Sequence, residues 1–106
     1  MPAYMVSLVT AHDMSWVPEY LTGVPPIVRR HGGEFLAVAK PGEIERLEGA
    51  SPIPQSIVVF KFPSMDAIKG FLESAEYGPY KEARIAGTDT SFFAFEHDPD
   101  APQFKS

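Results

Sequence analysis

The sequence predicts an α+β fold of element order β-α-β-β-α-β, with helices covering one face of an antiparallel sheet. Three observations carry this expectation. Alternating, strand-like segments stand near both ends, at residues 3–11 and 88–97. Between them, two segments place apolar residues at the three- and four-residue spacing of a helix face. The run "QSIVVFKF", residues 55–62, is too apolar to be half exposed and reads as a central strand buried on both faces.

Taken in order, the first strand has Tyr4, Val6 and Leu8 on one face and Met5, Ser7 and Val9 on the other. A helical stripe follows through Val17, Tyr20, Leu21, Val24, Ile27 and Val28, with Asp13 or Ser15 as N-cap. Pro25 and Pro26 interrupt its hydrogen bonding without shifting its phase, so a kink near Gly23 is expected. In "RRHGG", Arg29, Arg30 and His31 suit the negative end of the helix dipole, and Gly32 suits a left-handed stop. A phosphate cradle needs the opposite polarity, a glycine loop leading into a helix.

Residues 34–40 form the second strand, "KPGE" a type II turn, and residues 43–48 a return strand. After the central strand, Ser64 caps a helix that buries Ile68, Phe71 and Leu72. Ser74 caps a further helical segment running through Tyr77, Tyr80, Arg84 and Ile85 to Gly87. Residues 1–97 are read as one domain, and residues 98–106 as a polar tail in which Phe104 is the residue able to dock.

Composition excludes several functions. The chain of 106 residues has a net charge of -5, no cysteine and no basic cluster. Thiolate metal sites and cysteine nucleophiles are therefore excluded, and nucleic acid and anionic membranes lack the positive footprint they need. The "MPAYMVSLVT" start alternates like a strand and is not read as a signal peptide or membrane span, so a cytoplasmic protein is expected. Three scattered histidines have no ligand spacing, and no P-loop, dinucleotide or nucleophile motif is present, so neither metal nor cofactor is expected.

The remaining chemistry is scattered. His12, at the end of the first strand, is a candidate general acid or base, against the alternative of a solvated loop histidine. Asp89 is a second candidate, as a base or as a residue orienting Arg84; its alternative is a turn residue after Gly87. Tyr20 can direct its hydroxyl into a pocket or sit as an amphipathic ring at the core edge. Tyr77, Tyr80 and Arg84 fall on one helical stripe and are candidates to bind substrate, with Arg84 offering a bidentate fork to an anionic or carbonyl oxygen. The alternative pairs Arg84 with Glu76 or Glu82. With helices on one face only, the sheet face carrying Met5, Ser7 and Val9 needs cover, and a homodimer is expected.

The words "VPPIVRRHGGEFLAV", "IERLEG" and "VVFKFPSMDAIKGFLESAEYGPYKEAR" with the closing strand resemble the mostly bacterial domain-of-unknown-function family 1330. The resemblance covers nearly all of residues 2–97. It implies a ferredoxin-like, dimeric α+β barrel, whose superfamily includes cofactor-free monooxygenases, isomerases and haem enzymes with pockets between sheet and helices. Two positions depart from the family pattern: Glu34 stands where a basic residue is usual, and Lys40, Pro41 and Gly42 where Arg-Gly-Gly is frequent. The function expected is small-molecule binding, extending to cofactor-independent acid–base chemistry on a carbonyl or aromatic metabolite. The rival is a non-catalytic binding or regulatory module.

Overall fold

The computed structural model describes residues 1–100. The elements are β1 (Ala3–Ala11), α1 (Val17–Arg30), β2 (Glu34–Ala39), β3 (Ser56–Phe62), α2 (Met65–Glu73), α3 (Gly78–Gly87) and β4 (Thr88–Glu96). All strand pairs are antiparallel, in the order β2-β3-β1-β4. The expected α+β order is formed, and "QSIVVFKF" supplies an inner strand. No helix among the described residues is long and apolar enough to cross a membrane. The expectation for Phe104 lies outside the described residues.

The core is the layer between the helices and one sheet face. Val24, Ile27 and Val28 of α1 and Ile68 and Phe71 of α2 are buried with Ala3 and Met5 of β1 and Phe60 and Phe62 of β3. This corrects the expected face of β1. Ala3, Met5 and Ser7 are buried toward the helices, and Tyr4, Val6 and Leu8 are half-buried on the open side. Both faces of this strand are apolar, so alternation alone cannot choose between them. A one-residue choice then moves every side chain across the sheet.

The expected return strand at residues 43–48 is also absent. The turn itself forms: Glu43 N–H donates to the Lys40 carbonyl at 3.0 Å, and Gly42 has φ +87°. Beyond it the chain is irregular to residue 55, and β2 pairs with β3 instead. Glu43, Glu45, Arg46 and Glu48 leave the segment too little apolar surface to compete with β3 for the edge of β2, and Leu47 is 88% exposed.

At the start of α1, Trp16 occupies the N-cap position without a side-chain cap, while Asp13 Oδ1 accepts from Ser15 N–H at 3.0 Å, so neither expected cap forms. Pro25 and Pro26 are accommodated inside one continuous helix. Its far end is the expected stop. Gly32, at φ +81°, lets Gly32 N–H reach the Arg29 carbonyl at 3.0 Å and Gly33 N–H reach the Val28 carbonyl at 2.9 Å. Ser64 Oγ accepts from Ala67 N–H at 3.0 Å and caps α2 as expected.

Candidate functional site

The site is assembled at the corner between α2 and α3. Ser74 Oγ donates to the Phe71 carbonyl at 2.9 Å and accepts from Tyr77 N–H at 3.3 Å, which fixes the chain at the start of α3. Tyr77 is thereby fully buried, its ring 4.4 Å from that of Phe71. Seven residues on, Arg84 returns to the same side of the helix and donates from Nε to the Tyr77 hydroxyl at 3.2 Å. Tyr20 reaches down from α1 and places its hydroxyl oxygen 2.6 Å from that of Tyr77. The result is a continuous chain, Tyr20 to Tyr77 to Arg84, linking α1 and α3.

Arg84 decides the electrostatics. The residue is only 6% exposed, and its guanidinium lies over the Phe92 ring, 4.5 Å from the centroid. Among the described residues no carboxylate forms an ion pair with it; Glu76 pairs with Arg30 on the surface instead. Burial pushes the pKa of Tyr20 well above the usual tyrosine range, and the neighbouring Tyr77 adds to this, while Arg84 pulls weakly the other way. Tyr20 therefore remains a neutral hydroxyl at physiological pH.

Beside this chain lies a cavity of about 130 Å³ between α1 and the sheet, with Arg84, Tyr20, Ser7 and Phe92 in its wall. Leu21, 65% exposed, and the exposed Val38 line its solvent side. Apart from the arginine and the hydroxyls the lining is apolar or aromatic. Among the described residues no carboxylate or imidazole borders it.

The other sequence candidates are distributed differently. Tyr80 packs edge-on to Tyr20 at 6.4 Å and against Gly23, and borders clefts between α1 and α3 rather than the Arg84 cavity. Asp89 is exposed and shares a wider cleft with Arg84. His12 is exposed; its backbone N–H donates to the Gly87 carbonyl at 3.0 Å, and its side chain borders none of these clefts. Among the described residues no group of three potential ligands could hold a metal.

Sequence reasoning missed Ser7 and Phe92 as parts of this wall. Ser7 gave a usable signal, a hydroxyl in mid-strand among apolar neighbours. Phe92 gave none beyond being aromatic.

The family described as "Domain of unknown function (DUF1330)" matches residues 2–97. The chain belongs to this family. Comparison of this DUF1330 chain with curated proteins finds no match. In structure it is similar to a protein of unknown function from Rhodopseudomonas palustris, with TM-score 0.74 and 18% identity over 92% of this chain and 84% of that one. A dimeric ferredoxin-like protein of unknown function from Jannaschia sp. CCS1 aligns with TM-score 0.69 and 10% identity, covering 92% and 100% of the two chains. SnoaB, a cofactor-independent oxygenase from Streptomyces nogalater, aligns with TM-score 0.63 and 14% identity, covering 96% and 98%. The DUF1330 chain thus has the ferredoxin-like α+β fold that its sequence predicts.

Proposed function

We propose that the protein binds a small aromatic metabolite, holding its ring in the inner cavity and an anionic or enolic oxygen at Arg84. The single observation carrying this reading is a buried guanidinium with no carboxylate partner among the described residues. Removing such a charge from water costs several kcal/mol, and an oxygen anion brought in by a ligand offsets that cost. The volume agrees. An apolar cavity of about 150 Å³ accommodates a benzene ring, and this one measures about 130 Å³. Tyr20 supplies a neutral hydroxyl to the cavity wall, held in place by its contact with the Tyr77 hydroxyl.

In the catalytic form of this reading, Arg84 stabilises the negative charge of an enolate or phenolate formed without a cofactor. Of the two acid–base candidates, Asp89 shares a cleft with Arg84 and is the base this reading retains. The fold likeness to SnoaB supports chemistry of this class. The second reading, a non-catalytic binding module, is favoured by an inner cavity wall that holds no carboxylate or imidazole among the described residues. In either form the protein acts as a homodimer. The open sheet face carries Val6, Val59, Phe93 and Phe95, and one structural neighbour is described as dimeric.

Fluorescence titration with 3-hydroxyflavone, an aromatic enol, tests the binding. Arg84→Met is expected to weaken it roughly ten- to a hundredfold, the loss of one charged hydrogen bond. Unchanged affinity overturns the reading. Consumption of the probe that depends on Arg84 selects the enzyme, and binding without turnover selects the module.

A further inference from the structure

Ser7 stands in the middle of β1 and is only 3% exposed. Along its own strand Met5 and Val9 share its face, and its cross-strand partners are Val58 of β3 and Phe92 of β4. None of these four side chains can pair with a hydroxyl, and Ser7 Oγ makes no hydrogen bond to any described residue. The oxygen is not sealed in the core, because Ser7 lines the inner cavity. A hydroxyl held among apolar side chains without a partner costs stability that alanine in its place would not. The sheet order β2-β3-β1-β4 also gives the cavity two unlike ends. Ser7 and Phe92 are directly paired at one end, where the Arg84 guanidinium lies over the Phe92 ring. Val58 and Phe60 of β3 with Phe35 and Val38 of β2 line the other.

We propose that Ser7 is the specificity-determining residue of the inner cavity, and that the ligand is a catechol-type ring with one oxygen at Arg84 and a second, on the neighbouring carbon, at Ser7. The inference rests on the Arg84 reading above. Among the described residues Arg84 is the only cationic side chain in the cavity wall, so the wall matches one ionised oxygen and no more. Ser7 is neutral and can both donate and accept, which suits a hydroxyl that keeps its proton. The catechol monoanion carries that pair. The positions of the two oxygens follow from the sheet. Arg84 and Ser7 both flank Phe92, so the oxygens belong at the same end of the ring. An oxygen on the opposite carbon would be driven among Val58, Phe60 and Val38, where no side chain can pair with it.

Calorimetric titration of the full chain under nitrogen with phenol, catechol and hydroquinone tests this. Catechol is expected to bind roughly three- to tenfold more tightly than phenol or its own isomer hydroquinone, the gain of one neutral hydrogen bond. Ser7→Ala is expected to remove that advantage and to keep or raise the thermal midpoint of the ligand-free protein, since it deletes a hydroxyl that has no partner. Equal affinity for catechol and hydroquinone in the unmodified protein, a comparison that needs no variant, overturns the inference. So does an advantage that Ser7→Ala leaves in place, or a fall in the thermal midpoint that makes Ser7 a structural residue. Arg84→Met reads separately. If it leaves phenol binding unaffected, the Arg84 reading fails; if it weakens all three probes while catechol and hydroquinone bind alike, only the Ser7 inference fails. Failure of all three probes to bind overturns both.

Discussion

The hydroxyl oxygens of Tyr20 and Tyr77 stand 2.6 Å apart although 57 residues separate them in the chain, and the Tyr77 oxygen also accepts from Arg84 Nε. This contact ties α1 to α3 through polar groups that the folded chain shields from water. Such a network is strong while each member keeps its proton and fails when one must ionise.

Alkaline pH tests that statement. Burial, reinforced by Tyr77, raises the Tyr20 pKa above its ordinary 10.0. Below about pH 10 folded and unfolded chains both hold the proton, and this group adds no pH dependence. Above it the unfolded chain loses the proton first, so stability falls with rising pH by up to about 1.4 kcal/mol per unit. Urea unfolding between about pH 9 and about pH 11 should show this decline, and Tyr20→Phe should flatten it. An identical decline in the variant would assign the effect to another group.

Arg84→Met makes a second, less intuitive prediction for stability. The substitution removes a hydrogen bond to Tyr77 and a stacking contact with Phe92. Together these contribute about 2 to 5 kcal/mol. It also removes the desolvation cost of an unpaired guanidinium, which is of similar size. The expected thermal midpoint of the ligand-free protein is therefore within a few degrees of the original. A loss above about 3 kcal/mol would make Arg84 a structural residue rather than one held ready for a ligand.

These predictions use contacts that the sequence disclosed unevenly. The element order, the Gly32 stop and the Ser64 cap were legible because each depends on local geometry that specific residues satisfy. The Tyr77 and Arg84 partnership was legible from helical spacing, whereas Tyr80 leaves the same stripe because α1 offers its ring a seat against Gly23. The buried face of β1 was not legible, since Tyr4, Val6 and Leu8 are as apolar as Met5 and Val9. Nor was the failure of residues 43–48 to pair, which was decided by competition with a far more apolar β3. His12 illustrates a further limit: a strand end shows where a side chain leaves the sheet but not which cleft it faces.

Gly87 closes the site from behind. A Cβ built there would stand 2.5 Å from Trp16 Cδ1 and Nε1 and 3.1 Å from the Asp13 carbonyl oxygen. The indole is held by a hydrogen bond from Nε1 to that same carbonyl and packs edge-on to Tyr20 at 5.1 Å. Gly87→Ala must therefore push the ring from its seat, at a cost of about 1 to 3 kcal/mol. Trp16 is the sole tryptophan, so its emission reports the displacement directly. An unchanged spectrum with unchanged unfolding would show that the α3–β4 junction yields instead.

The open sheet face supplies the last prediction. Val6 stands opposite Val59 on one side and Phe93 on the other, and Tyr4 opposite Phe95, with their rings stacked at 5.7 Å. Phe93 is 61% exposed in the single chain, so its substitution costs the isolated fold little. In a two-fold dimer through this face the same residue is lost from both copies. Burial of each phenylalanine contributes about 1.5 to 3 kcal/mol, and a charge in its place adds a desolvation cost. Phe93→Glu should thus weaken association roughly a hundredfold or more while leaving far-ultraviolet circular dichroism unchanged. Light scattering at micromolar concentration should report a dimer for the original chain and a monomer for the variant. A monomeric original chain, or a variant that remains dimeric, would place the subunit contact elsewhere.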